Sequence, residues 1–236
     1  MSTSDLFQPQ TGHYSSALPS SALPSNVTSH QANELHPSVN HKVKRLIDIA
    51  GALVGLAITG LILIPIMIAV WLDNPGPIFY SQVRCGLYGR PFRIWKFRSM
   101  VVGADRMKHL IPNEAKGLIF KNQNDPRITR VGRFLRRTSL DELPQFYNVL
   151  RGEMSLVGTR PPTLDEVAQY ESHHFKRLLV KPGITGEWQV NGRSRVTDFE
   201  AIVAMDLAYQ EKWSIRYDLW LILKTIQVVL IKKGAY

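Results

Sequence analysis

Between Ile49 and Leu72 the chain carries 24 consecutive residues without a charged side chain. As a helix that run measures about 36 Å, against roughly 30 Å of bilayer hydrocarbon. A buried core helix of that length and uniformity would be unusual in 236 residues, so the segment reads as membrane-inserted. It divides the sequence into stretches suited to three solvents: a polar tail (1–41), the apolar segment with its basic flank (42–73) and a cationic remainder (74–236).

The tail has no Lys or Arg and two acids, Asp5 and Glu34. Ser, Thr, Pro, Asn and Gln dominate it, and Ser-Ala-Leu-Pro-Ser occurs twice, at 16–20 and 21–25. Such a stretch buries too little surface to repay ordering, which predicts disorder. It lacks the charged start and apolar core of a secretory signal.

Lys42, Lys44 and Arg45 precede the apolar run, and 26 Lys and Arg against 16 acids follow it. Basic residues on both sides conflict with the positive-inside rule for a spanning helix. Gly51 and Gly55 form a G-x-x-x-G pair suited to close helix contact. Gly60 and Pro65 lie mid-run, where a proline removes a backbone donor and bends a helix. Bent there, each arm is too short to cross, which makes a re-entrant helix-hairpin with both ends in the cytoplasm. The alternative is a kinked spanning helix, because proline is tolerated in such helices.

The remainder predicts a mostly helical α+β domain. Asn74-Pro75-Gly76-Pro77 is a turn, and Ile78–Arg84 and Phe92–Phe97 read as strands joined across Gly86-Leu87-Tyr88-Gly89. Helical patterns follow at about 103–111, 127–137, 140–150, 163–179 and 198–212, the last N-capped by Thr197 or Asp198. Leu219 to Ile231, at about 20 Å too short to span, suits an amphipathic interfacial helix or one packed on the core. Overall, 29 Lys and Arg against 19 acids give a formal charge of +10, which points to an anionic partner. The single cysteine, Cys85, excludes a disulfide framework and a Cys-based zinc site.

Chemistry is densest at Ser139-Leu140-Asp141-Glu142-Leu143-Pro144. Ser139 and Glu142 fit the S-x-x-E capping box, and acids in a first turn suit the helix dipole. Yet Arg127, Arg130, Arg133, Arg136 and Arg137 precede them at helical intervals. Those cations would keep a neighbouring carboxylate ionised, and an ionised carboxylate can act as a nucleophile. Gly158-Thr159-Arg160-Pro161-Pro162 restrains the backbone at Arg160, whose planar fork suits phosphate. Lys181-Pro182-Gly183-Ile184-Thr185-Gly186 leads to Gln189-Val190-Asn191-Gly192-Arg193, and Arg93, Lys96 and Arg98 on the second strand add further cations. Each is an ordinary turn or solvated face taken alone; together they suit phosphate binding. No P-loop, G-x-G-x-x-G or G-x-S-x-G motif is present, and the seven histidines show no metal spacing.

Six segments in order resemble the bacterial sugar transferases, or monotopic phosphoglycosyl transferases. They are Lys44 to Asp48; Asn74 to Phe79; Lys96-Phe97-Arg98-Ser99-Met100; Ser139 to Asn148 with Arg151-Gly152-Glu153-Met154-Ser155; Gly158 to Pro161; and Pro182 to Gly186 with Gln189 to Arg193. The resemblance covers about Lys44 to Ile231. It implies transfer of a sugar 1-phosphate from a nucleoside diphosphate sugar, usually a UDP-sugar, to polyprenyl phosphate in the cytoplasmic leaflet of the bacterial inner membrane. Nucleoside monophosphate is released, as the first membrane step of an exopolysaccharide, O-antigen or glycoprotein glycan pathway. By resemblance Asp141 is the nucleophile, Glu142 serves the Mg²⁺ ion or proton handling with Asp141 beside it as metal ligand, and Arg160-Pro161 meets the nucleotide. Lys96, Arg98, Arg136, Arg137 and Arg193 complete the expected phosphate-binding set. The family's hairpin breaks at a Ser-Pro pair; this chain has Gly60-Leu61 there, with Pro65 one turn later. The implied partners are a nucleotide-sugar donor, a polyprenyl phosphate acceptor and membrane lipid; self-association is left open. The rival is a non-catalytic, membrane-anchored binder of anionic lipid, and the apolar segment argues against a nucleic-acid binder.

Overall fold

The computed structural model describes residues 10–11, 35–192 and 196–231; the rest of the polar tail lies outside them. Strand β1 (Gln10–Thr11) pairs in parallel with Tyr80 and Ser81. Regular structure resumes before Lys42, with the short helix α1 (Pro37–Asn40). There His36 bonds the Gln210 carbonyl at 3.0 Å and lies edge-on to Trp213. Those partners lie far along the chain, so no local pattern announces them.

Helix α2 (Lys42–Asp73) is 32 residues long and passes through Gly60 and Pro65 without interruption. No break in the helix occurs at those two residues: Pro65 removes one backbone donor, and the bonds on either side carry the helix across it. By length and composition α2 could cross a membrane. It packs along the domain through a stripe of Lys44, Asp48, Ala52, Gly55, Thr59, Ile66 and Val70, the three-to-four spacing of one helical face. Leu53, Leu61, Ile64 and Leu72 on the other side are exposed. The close contact foreseen for the glycine pair is made within the chain. A Cβ at Gly51 would stand 2.5 Å from the Leu156 side chain, and one at Gly55 2.4 Å from the Phe146 ring.

Strands β2 (Phe79–Cys85) and β3 (Pro91–Phe97) form the expected antiparallel hairpin, in register from Phe79 opposite Phe97 to Cys85 opposite Pro91. The pattern at 103–111 is a 3-10 run, Ala104–Leu110. Helix α3 (Arg130–Thr138) is capped by Thr129, which accepts from the Gly132 N–H at 3.0 Å. The single helix expected at 140–150 is split into a 3-10 turn, Leu140–Glu142, and α4 (Gln145–Arg151). Ser139 is left-handed (φ 59°) and reverses the chain, and Pro144 stands at the start of α4. The Ser139–Glu142 capping box therefore does not form, because Ser139 makes no side-chain cap.

Strands β4 (Ser155–Val157) and β5 (Gly183–Thr185) pair in parallel; neither was foreseen. The helix expected at 163–179 is two short pieces, α5 (Leu164–Val167) and a 3-10 run His174–Leu179. A capping box does occur here, between Thr163 and Glu166. After α6 (Glu187–Asn191) come α7 (Phe199–Lys212), N-capped by Asp198 as expected, and α8 (Ile215–Ile231). In the C-terminal segment Leu221 is fully buried, as core packing requires, whereas Leu219, Trp220, Leu223 and Ile226 are exposed.

Apolar packing follows α2. Its first half joins Ile94, Val149, Met154, Tyr209 and Leu221 in one cluster, and Ile66 and Val70 join Ile78, Phe97 and Leu135 in another. Both ends of α2 are fastened to this body. Lys44 donates to Asp218 on α8 at 2.6 Å, and Asp48 accepts from the Ser155 hydroxyl and the Leu156 N–H, both at 2.8 Å. Asp73 accepts from the Val131 N–H at 2.8 Å, satisfying a free donor at the start of α3.

Candidate active site

Alternation along the hairpin aims Tyr80, Gln82 and Arg84 of β2 and Ile94 and Lys96 of β3 at one cavity of about 420 Å³, which Arg98, just past the end of β3, also borders. The turn bearing Asp141 and Glu142 closes one side, and the loop with Arg160 and Pro161 another. Asn148, with no exposed surface, holds the turn to the sheet. Its amide donates to the Arg93 carbonyl and to Glu153, both at 2.7 Å, and its oxygen accepts from the Trp95 N–H at 3.3 Å. The left-handed Ser139 between α3 and the turn lets the acids face inward rather than continue an exposed helix.

Asp141 is only 5 % exposed although it borders the cavity. Glu142 beside it pairs with Lys96 at 2.8 Å. Arg136 enters from α3 and donates to the Ser99 hydroxyl at 2.9 Å. Arg160 forms a two-pronged pair with Glu166, at 2.7 and 3.1 Å. Burial pushes the Glu166 carboxyl up, but the Arg160 guanidinium outweighs it and holds the group below the usual carboxylate range. The fork foreseen for phosphate is thus engaged by an internal carboxylate.

Of the expected residues, Asp141, Glu142, Lys96, Arg98, Arg136, Arg160 and Pro161 border this one cavity. Arg98 does so while its guanidinium turns toward the Asn74 carbonyl and Gly76, tying down the α2–β2 turn. Arg137 is exposed on α3 and is not part of the wall. Arg193 lies outside the described residues. Gly60 and Pro65 are in α2, away from the wall, and Gly60 faces open space.

Sequence reasoning missed Arg84, Lys121 and Trp188. Arg84 was recoverable, because it shares the alternation that selects Lys96 through the hairpin register. Lys121 arrives on a loop without regular structure and carried no local signal. Its ammonium donates to the Val196 carbonyl at 2.6 Å and stands 5.4 Å over the Trp188 ring. Burial, with Arg160 nearby, pushes the Lys121 amine down to about 8. Trp188 Nε1 and Gln189 Oε1 also border the cavity, buried and without a hydrogen-bond partner.

The wall carries eight Lys and Arg against four Asp and Glu, which suits a multiply charged anion. Asp141 and Glu142 offer the hard oxygen ligands that Mg²⁺ takes with substrate phosphates. Elsewhere His173, His174 and Glu200 approach metal-ligand spacing. His174 Nδ1, however, accepts from the Glu171 N–H at 2.9 Å. Its proton is therefore on Nε2, which donates to Glu200 at 2.7 Å, and that nitrogen has no lone pair for a metal.

Comparison with known proteins places the chain in a family. The chain is 53 % identical over 194 residues to the galactosyl transferase CpsE of Streptococcus agalactiae, covering 81 % of this chain and 43 % of that protein. It is 42 % identical over 213 residues to the undecaprenyl-phosphate galactose phosphotransferase of Salmonella typhimurium, covering 86 % and 44 %. The chain thus spans less than half the length of these two relatives. Against the exopolysaccharide production protein ExoY of Rhizobium meliloti it is 40 % identical over 199 residues, covering 82 % of the chain and 88 % of that protein. The family model described as bacterial sugar transferase matches residues 39–232, a stretch that includes the hairpin, the acidic turn and the Arg160 loop, and the chain belongs to that family.

Proposed function

We propose that this chain transfers a sugar 1-phosphate from a nucleoside diphosphate sugar, a UDP-sugar in the first instance, to polyprenyl phosphate at the cytoplasmic face of a bacterial inner membrane. The product would begin an exopolysaccharide, O-antigen or related glycan. One observation carries the reading: a nearly buried Asp141 borders a cavity whose cations outnumber its acids two to one. A carboxylate so placed meets a diphosphate that the cations have brought within reach.

In the first half-reaction an Asp141 carboxylate oxygen attacks the sugar-bearing phosphorus. The bond from that phosphorus to the bridging oxygen breaks, and the nucleoside monophosphate leaves with the electron pair. In the second, a phosphate oxygen of the polyprenyl acceptor attacks the same phosphorus and the Asp141–phosphorus bond breaks. This forms the polyprenyl diphosphosugar and restores the carboxylate. Splitting the transfer lets a soluble donor and a lipid acceptor use one site in turn. Lys96 orients Glu142, and Arg136 and Arg160 neutralise phosphate oxygens. Asp141 and Glu142 would hold Mg²⁺, which when bound supplies further neutralisation of phosphate charge.

Membrane attachment is through α2 and the exposed side of α8. Fastening both ends of α2 to one body supports entry and exit on a single membrane face. A spanning helix of this length would separate its ends by about 48 Å across the bilayer. A re-entrant arrangement would require α2, continuous through Gly60 and Pro65, to bend there in lipid.

The test is nucleoside monophosphate release by detergent-solubilised protein with Mg²⁺, polyprenyl phosphate and a panel of UDP-sugars. Acceptor-dependent release with at least one sugar is expected. Folded protein that binds anionic vesicles but releases nothing from UDP-, GDP- or dTDP-sugars would replace the enzyme with a lipid-binding scaffold.

A further inference from the structure

Arg84 is the last inward-facing residue of β2, where the strand is stitched to the Arg160 loop. The Cys85 N–H donates to the Pro162 carbonyl at 3.0 Å, and Arg84 forms a β-bridge with Thr163. The Arg84 guanidinium donates through one terminal nitrogen to the Pro161 carbonyl at 3.0 Å. Its Nε is shut off from solvent and has no partner. Among the described residues no carboxylate lies within ion-pair distance of Arg84. Glu166, whose charge favours it, has both oxygens on Arg160.

Two guanidinium groups are thus held in one wall with one carboxylate for both. A cation withdrawn from water without a counter-ion is costly, and an incoming anion would relieve that cost. Burial, and then repulsion by Arg160, push the Arg84 guanidinium below its ordinary value, while Glu166 and Glu142 oppose the shift. Arg84 therefore senses both the Arg160 loop and the acidic turn. Arg84 lies at the far end of β2 from Phe79, opposite Phe92 of β3. Phe79, at the other end, packs in the cluster that holds Ile66 and Val70 of α2. The five residue steps between them extend about 17 Å.

We propose that Arg84 is a phosphate-binding residue which, with Arg160, grips the phosphate that departs with the nucleoside. The inference rests on the reaction proposed above. It adds a residue to the site and assigns that residue to the soluble donor rather than to the lipid acceptor.

The test uses the full chain in detergent as wild type, Arg84→Gln and Arg84→Lys. UMP and inorganic pyrophosphate serve as probes, read by thermal shift and by inhibition, beside the KM for donor and acceptor. In Arg84→Gln, probe affinity falls by about tenfold or more and donor KM rises in step, as for loss of a charge-assisted bond. Acceptor KM stays within about twofold. Arg84→Lys keeps the charge and a donor for Pro161 but lacks the fork, so it gives a smaller loss and decides the matter if Arg84→Gln does not fold. Undiminished probe binding in the folded variants overturns the inference alone, as does a rise confined to acceptor KM. A wild type that binds neither probe overturns the reaction proposed above together with this inference.

Discussion

Charged groups are buried in two regions of this molecule on opposite terms. Where α2 meets α8, they are matched. Lys44 is paired with Asp218, which also accepts from the Tyr209 hydroxyl at 2.9 Å and the Trp213 indole at 3.2 Å. Arg45, also without an acid among the described residues, has both terminal nitrogens on carbonyls at the end of α4, those of Val149 and Leu150, each at 2.7 Å. In the cavity the count is uneven, and Arg84 has no acid of its own. A matched set holds a scaffold, because each charge already has the partner that repays its desolvation. An unmatched set is stable only while partly open to water or filled by a ligand. The contrast supports, independently of any motif, the choice of the cavity as the place of the proposed reaction.

The largest expected effect belongs to the unmatched region. Asp141→Asn should lower turnover by about 10⁴-fold or more, as for removal of a nucleophile, measured by monophosphate release. The variant should still unfold cooperatively, because the amide keeps the shape of the turn. Release that survives in folded Asp141→Asn would assign the attack to another group and leave the uneven charge count without its catalytic meaning.

Breaking the matched region should act on stability instead. Lys44→Met strands Asp218 in the interior and should cost about 3–5 kcal/mol, read from denaturant or thermal unfolding in detergent. Turnover per folded molecule should stay near wild type, since Lys44 is not in the cavity wall. A variant of full stability but low turnover would erase the distinction between the regions.

A smaller effect should come from pH. Lys121 is held down to about 8, by burial first and by Arg160 second. A lysine whose folded value lies below its unfolded one is charged below that value and loses the charge as pH rises through it. Donor KM should therefore rise several-fold between about pH 7 and 9, and Lys121→Arg should flatten the profile. The same depression makes the folded state bind fewer protons between about 8 and the ordinary lysine value. Stability from this group consequently increases with pH across that window, the direction opposite to donor affinity. A flat KM profile in the wild type would remove Lys121 from the ligand's charge balance.

Much of this protein was legible in one dimension. The apolar run, the hairpin, α7 and the segments shared with sugar transferases are local patterns of hydrophobic period, turn residues and spacing, which neighbouring residues dictate. So was the acidic pair, because adjacent carboxylates after an arginine-rich helix are visible in any window that contains them. Ser139 and Glu142 show where such reading ends. Their spacing fits a capping box, yet the backbone turns left-handed at Ser139 and sends Asp141 into a cavity. The same spacing at Thr163 and Glu166 does make the box, and Glu166 then also engages Arg160.

Other features were settled only by tertiary structure, because they depend on partners brought together across large sequence distances. The parallel β4–β5 pair needs strands with an intervening crossover. Arg98 serves the α2–β2 turn, Arg137 faces solvent and Lys121 reaches the cavity, all for reasons that lie outside their own segments. Composition alone required that α2 seek an apolar environment. That one side of it is the domain's own core, and that both its ends are fastened to the same body, followed from where Lys44, Asp48 and Asp73 found their partners.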